Sequence, residues 1–314
     1  MRQFALFDSH CDTAYEIWRR RESIERTSCC VDLPQMQQYE SCGQFFAFCT
    51  YPGVDLSYSC EELLWSPYRY FMDQLDRHER YISLCKCIGD YESAVSNGKI
   101  AAFLSLEGAE GIGCDPGRLE ELHDAGFSMV NLTWNEDNAL AGCAARDGGG
   151  LTAMGREFVK RAQEIGMIID VSHISDRAFW DIMDLTQKPV VASHSNSRAI
   201  CDHCRNLTDE QFKAICLSGG YVGINLYSAF LTKSGYATFE DVYRHIMHFL
   251  SLVGEGHIAL GGDLDGCDTL PTGFSGLKDY RTLASYLESN GFSEQMMRNI
   301  YCNTIKEVVK LCIM

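Results

Sequence analysis

The sequence predicts an α/β protein of the (β/α)8 TIM-like barrel class. Three observations carry that expectation. Short, nearly continuous apolar runs alternate with segments of helical period, the pattern of parallel strands buried on both faces. Eight such runs can be placed, at residues 4–7, 44–50, 100–106, 127–133, 167–171, 189–193, 221–226 and 258–262. Polar residues with usable chemistry stand just after several of the runs, at the strand ends where a β/α barrel carries its working groups.

Length and composition agree. A β/α barrel needs roughly 250 residues, and the chain has 314. No internal repeat or linker divides it, so one domain is expected over 1–314, with an irregular insertion at about 13–43. The formal net charge of −16 argues against a nucleic-acid partner, which needs clustered Lys and Arg. The 16 cysteines are read as reduced, small apolar core residues. Phe4-Ala5-Leu6-Phe7 is too short for the apolar region of a secretory signal, and the longest apolar runs are strand-sized. The expectation is a cytoplasmic protein without a membrane segment.

The helices carry their own signals. Thr152 caps a helix with Met154, Phe158, Ala162 and Ile165 on one face. Ser175 caps the next. Thr208 and Gln211 fit a capping box. Apolar residues recur at helical spacing over 239–253, and Gly254 ends that run. Residues 59–80 read as helical with a break at Trp65-Ser66-Pro67.

The strand ends are chemically consistent. The first run leads into His10-Cys11-Asp12, the third ends at Glu107, the fifth at His173, the sixth at His194 and the eighth at Asp263-Leu264-Asp265. Residues two apart on a strand share a face, so His10 and Asp12 can address one metal. His173 and His194 come after successive strands and are brought side by side. Three imidazoles and two carboxylates suit zinc. Five ligands exceed one open tetrahedral set and suit two ions sharing Glu107, whose carboxylate has two oxygens. Such a pair can share a hydroxide and polarise a carbonyl. Asp263 is placed to take and return a proton; the alternative is that Asp263 or Asp265 only caps the next segment. Arg205 could clamp a carboxylate with two parallel hydrogen bonds, although from the sequence alone it is an ordinary loop arginine.

Other features read as structural. Cys201 and Cys204 form a C-x-x-C without a second pair. Gly148-Gly149-Gly150 lacks the Lys-Ser/Thr of a phosphate loop. His78, His123, His203, His245, His248 and His257 are expected on surfaces or helix faces.

Taken together, the motifs resemble the renal (membrane) dipeptidase family, a binuclear-zinc branch of the amidohydrolase-like barrels. The resemblance runs from Asp8 to about Lys310. It rests on Asp8-Ser9-His10-Cys11-Asp12, Leu106-Glu107-Gly108, Leu132-Thr133-Trp134-Asn135, Asp170-Val171-Ser172-His173, Ser193-His194-Ser195, Arg205-Asn206 and Gly261-Gly262-Asp263-Leu264-Asp265-Gly266. It implies one zinc on His10 and Asp12, a second on His173 and His194, and Glu107 as bridge. It further implies Asp263 as general acid/base and Arg205 as the site for the substrate's terminal carboxylate. The expected activity is zinc-dependent hydrolysis of dipeptides, including those with a C-terminal D-residue, and the resemblance allows a homodimer.

The chain departs from the family pattern in three places. Trp134 stands where some members have a substrate-contacting His; an indole offers one donor and no acceptor, so a pocket-wall role is expected. Ser9 and Cys11 replace the usual Gly and Asn, and Tyr301-Cys302-Asn303 replaces Gly-Gly-Asn; both are read as changes of packing. Trp134 keeps a second substrate class open, N-acyl amino acids or related amides. A non-catalytic metal-binding barrel is the third reading.

Overall fold

The computed structural model describes residues 4–313 apart from 52, 54 and 147. Among the described residues nine strands form one sheet: β1 (Leu6–Cys11), β2 (Cys42–Cys49), β3 (Ile82–Leu84), β4 (Ile100–Glu107), β5 (Phe127–Asn131), β6 (Ile168–Asp170), β7 (Val190–Val191), β8 (Val222–Ile224) and β9 (Ile258–Leu260). Eight of them run in the order β7-β6-β5-β4-β2-β1-β9-β8. A bridge from Ala192 to Val222 joins the two ends: Ala192 N–H donates to the Tyr221 carbonyl at 3.0 Å, and Gly223 N–H to the Ala192 carbonyl at 2.8 Å. The ring of parallel strands is thereby closed, as the (β/α)8 expectation requires. The extra strand β3 pairs with β4 outside the ring and has no counterpart among the eight apolar runs.

The first strand runs past the apolar run at 4–7 and through His10 to Cys11, as its expected His10-Cys11-Asp12 end requires, with Asp12 just beyond it. Its second half is polar yet buried: Asp8 and Ser9 find hydrogen-bond partners, whereas the two ring nitrogens of His10 have none. Ser9 donates to the carbonyls of Ser193 and Leu260, at 2.6 and 2.9 Å. Asp8 accepts from His10 N–H, from Gln44 and from Gly262 N–H. The register against β2 shifts between Asp8 and Cys11, an irregularity of the kind that re-aims side chains. Cys11 packs with the outer core, in line with its expected packing role.

Inside the ring, Phe7, Phe45 and Phe103 stack with centroids 5.0–5.8 Å apart. Ile305, Val308, Val309 and Cys312 of the last helix join this inner cluster. Nearly all the other apolar burial lies between strands and helices.

The expected caps form. The Thr152, Ser175 and Thr208 side chains accept from Gly155, Ala178 and Gln211 N–H, and Gly254 comes directly after the helix Phe239–Val253. Two expectations are corrected. The helix Cys60–Arg77 runs unbroken through Pro67: one missing N–H donor is outweighed where Leu63, Leu64, Phe71 and Leu75 are buried on either side. The stretch 13–43 also begins with an ordered helix, Thr13–Arg20, and contains a second, Leu33–Met36. Tyr301 and Cys302 lie in a π-helical turn, where the Tyr301 hydroxyl donates to the Tyr280 carbonyl at 2.9 Å.

Candidate metal centre

The strand ends bring the five expected ligands together. His10 leaves β1 with Nε2 at 3.6 Å from Asp12 Oδ2 and 3.7 Å from Glu107 Oε1. Glu107, the last residue of β4, lies 2.9 Å from His173 Nε2 and 3.5 Å from His194 Nε2. The two latter Nε2 atoms are 3.0 Å apart, and the His10 and His194 rings lie 3.8 Å apart. Asp12 stands at the start of the helix Thr13–Arg20, but its side chain makes no cap, so the carboxylate faces the other ligands.

These donors fit metal ions. Three imidazole Nε2 atoms converge on one carboxylate oxygen, a borderline-soft N/O set of the kind zinc accepts. Both ring nitrogens of His10 are buried without a hydrogen-bond partner, which is costly unless something else binds them. Potential ligand atoms of Glu107, His173 and His194 fall within one ion's reach of each other, as do those of His10, Asp12 and Asp263. A third grouping adds Asp170 to His10 and His194, but both Asp170 oxygens are taken by serines.

Electrostatics point the same way. Burial pushes the carboxyl groups of Asp12 and Glu107 up to about 7, against the pull of His10. Burial opposes protonation of His10, but Glu107, Asp12 and Asp263 outweigh it and lift the imidazole to about 10. Burial holds His173 and His194 well below the usual histidine range, with Arg205 and His10 adding to the effect. A buried knot of anions short of positive charge is the environment a divalent cation completes.

Asp263 comes after β9 in left-handed backbone, φ 55°, and Asp265 repeats it at φ 69°; Asp tolerates this region better than most residues. The turn separates their roles. Asp263 Oδ1 lies 3.9 Å from His10 Nε2, and its Oδ2 accepts from Asn225 Nδ2 at 3.0 Å. Asp265 is a brace, accepting from Thr13 Oγ1 and from Cys30 N–H at 2.7 Å.

Arg205 is no loop-surface arginine. It is 5% exposed, none of its guanidinium nitrogens has a hydrogen-bond partner, and it lies 5.5 Å over the Phe230 ring. Burial lowers its pKa, against Asp263, Glu107 and Asp170. The segment that carries it is anchored by Asn206, which donates to the carbonyls of Cys201 and Phe230, and by His245, whose Nδ1 accepts from Ser197 N–H at 3.0 Å. His245 lies on the expected helix Phe239–Val253, on its buried face.

One cleft of about 310 Å³ is lined by Asp12, Glu107, Trp134, His173, Arg205 and Asp263 among others, with His10 and His194 outside its lining. Trp134 forms part of the wall, 5.3 Å from Tyr51 and 6.3 Å from His173 between ring centroids. Three supporting residues were missed in the sequence. Asn135 faces His173 Nδ1 at 3.0 Å, Ser193 faces His194 Nδ1 at 2.7 Å, and Asn225 holds Asp263. Asn135 is the chain neighbour of Trp134 and Ser193 that of His194, and that adjacency is the signal that could have found them.

A closed parallel barrel with three imidazoles and several carboxylates at its strand ends defines a metal-dependent hydrolase. The model of the membrane dipeptidase family (peptidase family M19) matches residues 1–311, and the chain belongs to that family of metallo-dipeptidases. An uncharacterized Klebsiella pneumoniae protein encoded in the pqqA 5′ region is 31% identical over 79% of this chain and 96% of its own length. An uncharacterized dipeptidase of Schizosaccharomyces pombe is 31% identical over 85% of this chain and 68% of its own. Among solved structures, the metallo peptidase called dipeptidase AC superposes with a TM-score of 0.91 at 25% identity, over 99% of both chains. A Rhodobacter sphaeroides metallo peptidase, solved with a phosphinate mimic of the dipeptide L-Ala-D-Ala, shares the fold with a TM-score of 0.91 at 24% identity, over 99% of this chain and 100% of its own. Among the described residues no helix is long and apolar enough to cross a membrane.

Proposed function

We propose that this chain hydrolyses dipeptides with a free C-terminal carboxylate, including those ending in a D-residue, and that it works with two zinc ions. His10 and Asp12 would hold one ion, His173 and His194 the other, and Glu107 would bridge them. When bound there, the ions supply Lewis-acid polarisation of the scissile carbonyl and activation of water.

The remaining work falls to the chain's own residues. The observation that carries the reading is Arg205: a buried, unpartnered guanidinium in the same cleft as the ligand cluster. A buried cation without partners is expensive, and a substrate carboxylate would supply two parallel charge-assisted hydrogen bonds. Clamped there, the substrate lies with its peptide bond toward Glu107 and Asp263. Asn225 occupies Asp263 Oδ2, which leaves Oδ1 to take a proton from attacking water and return it to the leaving amine. Trp134 and Tyr51 offer an apolar wall to the rest of the substrate.

That wall equally suits an N-acyl group, which makes N-acyl amino acids the second reading. The test is a panel of L,L- and L,D-dipeptides beside the corresponding dipeptide amides and N-acetyl amino acids. Turnover should favour dipeptides with a free carboxylate. Equal turnover of the amides would remove the role of Arg205, and preference for N-acetyl amino acids would establish the second reading. The 24%-identical Rhodobacter sphaeroides protein, with its L-Ala-D-Ala mimic, is the reason for including D-residues. A homodimer in the cytoplasm remains part of the proposal, tested by sedimentation and by cell fractionation.

A further inference from the structure

We propose that Asp170, acting through Ser193, is a positioning residue that fixes His194 as its Nδ1–H tautomer, so that Nε2 faces the metal centre as a bare lone pair.

Counting protons leads there. Asp170 ends β6 and is buried. Its Oδ1 accepts from Ser172 N–H at 3.0 Å, from the Ser172 hydroxyl at 2.6 Å and from Ser193 N–H at 2.9 Å. Its Oδ2 accepts from the Ser193 hydroxyl. A carboxylate can only accept and a serine hydroxyl has one proton to give, so the Ser193 proton is spent on Asp170. His194 Nδ1, 2.7 Å from Ser193 Oγ, must then be the donor of that contact, and the ring's remaining nitrogen carries no hydrogen. That nitrogen, Nε2, is the one 3.5 Å from Glu107 Oε1 and 3.0 Å from His173 Nε2.

The backbone of His194 is held by the same carboxylate. Ser172 spends its proton on Asp170 and accepts from His194 N–H at 3.1 Å. Two serines therefore connect one buried charge to both the ring and the main chain of His194. The arrangement is a carboxylate–histidine pair of the kind that orients metal-bound imidazoles and raises their basicity, with a hydroxyl inserted between. The other two imidazoles are supported differently. His173 Nδ1 meets the neutral amide of Asn135, and neither nitrogen of His10 has a hydrogen-bond partner.

The Asp170→Asn change separates tautomer control from simple packing. Two backbone N–H groups and one hydroxyl converge on Oδ1, which keeps the amide oxygen of Asn there and places its NH2 against Ser193. Ser193 then accepts from that NH2 and turns its freed proton to His194 Nδ1 at 2.7 Å in preference to the more distant Ser172 hydroxyl at 3.2 Å, which drives the ring proton to Nε2.

The tautomer does not depend on the metal reading, whereas its consequence for zinc does, so two measurements keep them apart. Histidine ¹⁵N spectra of the metal-free protein should show a protonated Nδ1 and a bare Nε2 for His194 in the wild type, and the reverse in D170N. Competition with a chromophoric chelator should show zinc bound at least about 10-fold more weakly by D170N and by S193A, the range typical for lost outer partners of metal-bound histidines. If D170N does not fold, S193A and the wild-type spectrum decide. A wild-type His194 protonated on Nε2 overturns the proposal. So does a D170N spectrum with an unchanged tautomer. Zinc affinity unchanged in the folded variants, with the tautomers as stated, overturns the effect on the metal. Zinc binding absent from the wild type, with the tautomers as stated, overturns the metal reading instead.

Discussion

Asn225 donates from Nδ2 to Oδ2 of Asp263 at 3.0 Å, while its own Oδ1 accepts from Tyr227 N–H at 2.6 Å. One amide thus orients the proposed proton carrier and ties it to the β8 loop. In Asn225→Asp the acceptor for Tyr227 survives and the donor is replaced by an oxygen. The expected result is a kcat lower by about 10- to 100-fold, the scale of a misplaced reacting group, with bound metal unchanged. Steady-state kinetics with metal analysis on the same sample checks this; an unaltered kcat would remove Asp263 orientation from the mechanism.

Arg205→Ala removes the buried cation without leaving a buried partner unpaired. KM for dipeptides should rise by about 10²- to 10³-fold, the loss of a bidentate charge-assisted contact, and dipeptide amides should be affected far less. Stability should stay level or increase, since an unpaired buried charge is a burden in the free protein. A thermal melt beside the kinetics distinguishes this from general damage, which would lower both.

His245 makes stability depend on pH. Burial, with Arg244 and His248 adding to it and the Leu231 carbonyl and Asp241 opposing it, lowers its pKa from 6.5 to about 4. Between those values the unfolded chain binds the extra proton and the folded one does not, so stability falls as pH falls. The contribution is full above about 6.5, is lost toward about 4, and amounts to roughly 3 kcal/mol over the whole window. Denaturant unfolding across that window should show a flatter slope for His245→Asn than for the wild type. Parallel slopes would contradict the assignment.

Gly223 and Gly261 are needed for barrel closure. A Cβ at either would lie about 2 Å from the Ser193 carbonyl oxygen and under 3 Å from Ser9 Oγ. Neither neighbour can withdraw, because Ser9 is itself bonded to that carbonyl. Gly261→Ala should cost about 3 kcal/mol or more, the upper range of overpacking, read as a lowered unfolding midpoint. A wild-type midpoint would show that the ring tolerates widening there.

The chemistry at the strand ends was legible in the sequence because barrel strands bury both faces, so that His10, Glu107, His173 and His194 stand out at the ends of apolar runs. Strand β3 was not, since Ile82-Ser83-Leu84 is three residues long and takes its conformation from β4. Nor was the burial of Asp8 and Ser9 within β1, which depends on partners as distant as Gly262 and Ser193. Arg205 was legible as a candidate but not as a buried group, because its environment comes from Phe230 and from the Asn206 and His245 anchors, none of them local in pattern. The unbroken helix through Pro67 has the same cause: packing by Leu63, Leu64 and Phe71 overrides the local signal.

The central claim is a two-ion site formed by His10, Asp12, Glu107, His173 and His194. Its most direct test is titration of the metal-free protein with zinc, reading bound metal per chain and dipeptide hydrolysis on the same samples. Binding should saturate at two ions per chain, with hydrolysis absent from the metal-free protein and rising as the sites fill. Full activity without metal, or saturation of the wild type with no tightly bound ion, would contradict the account.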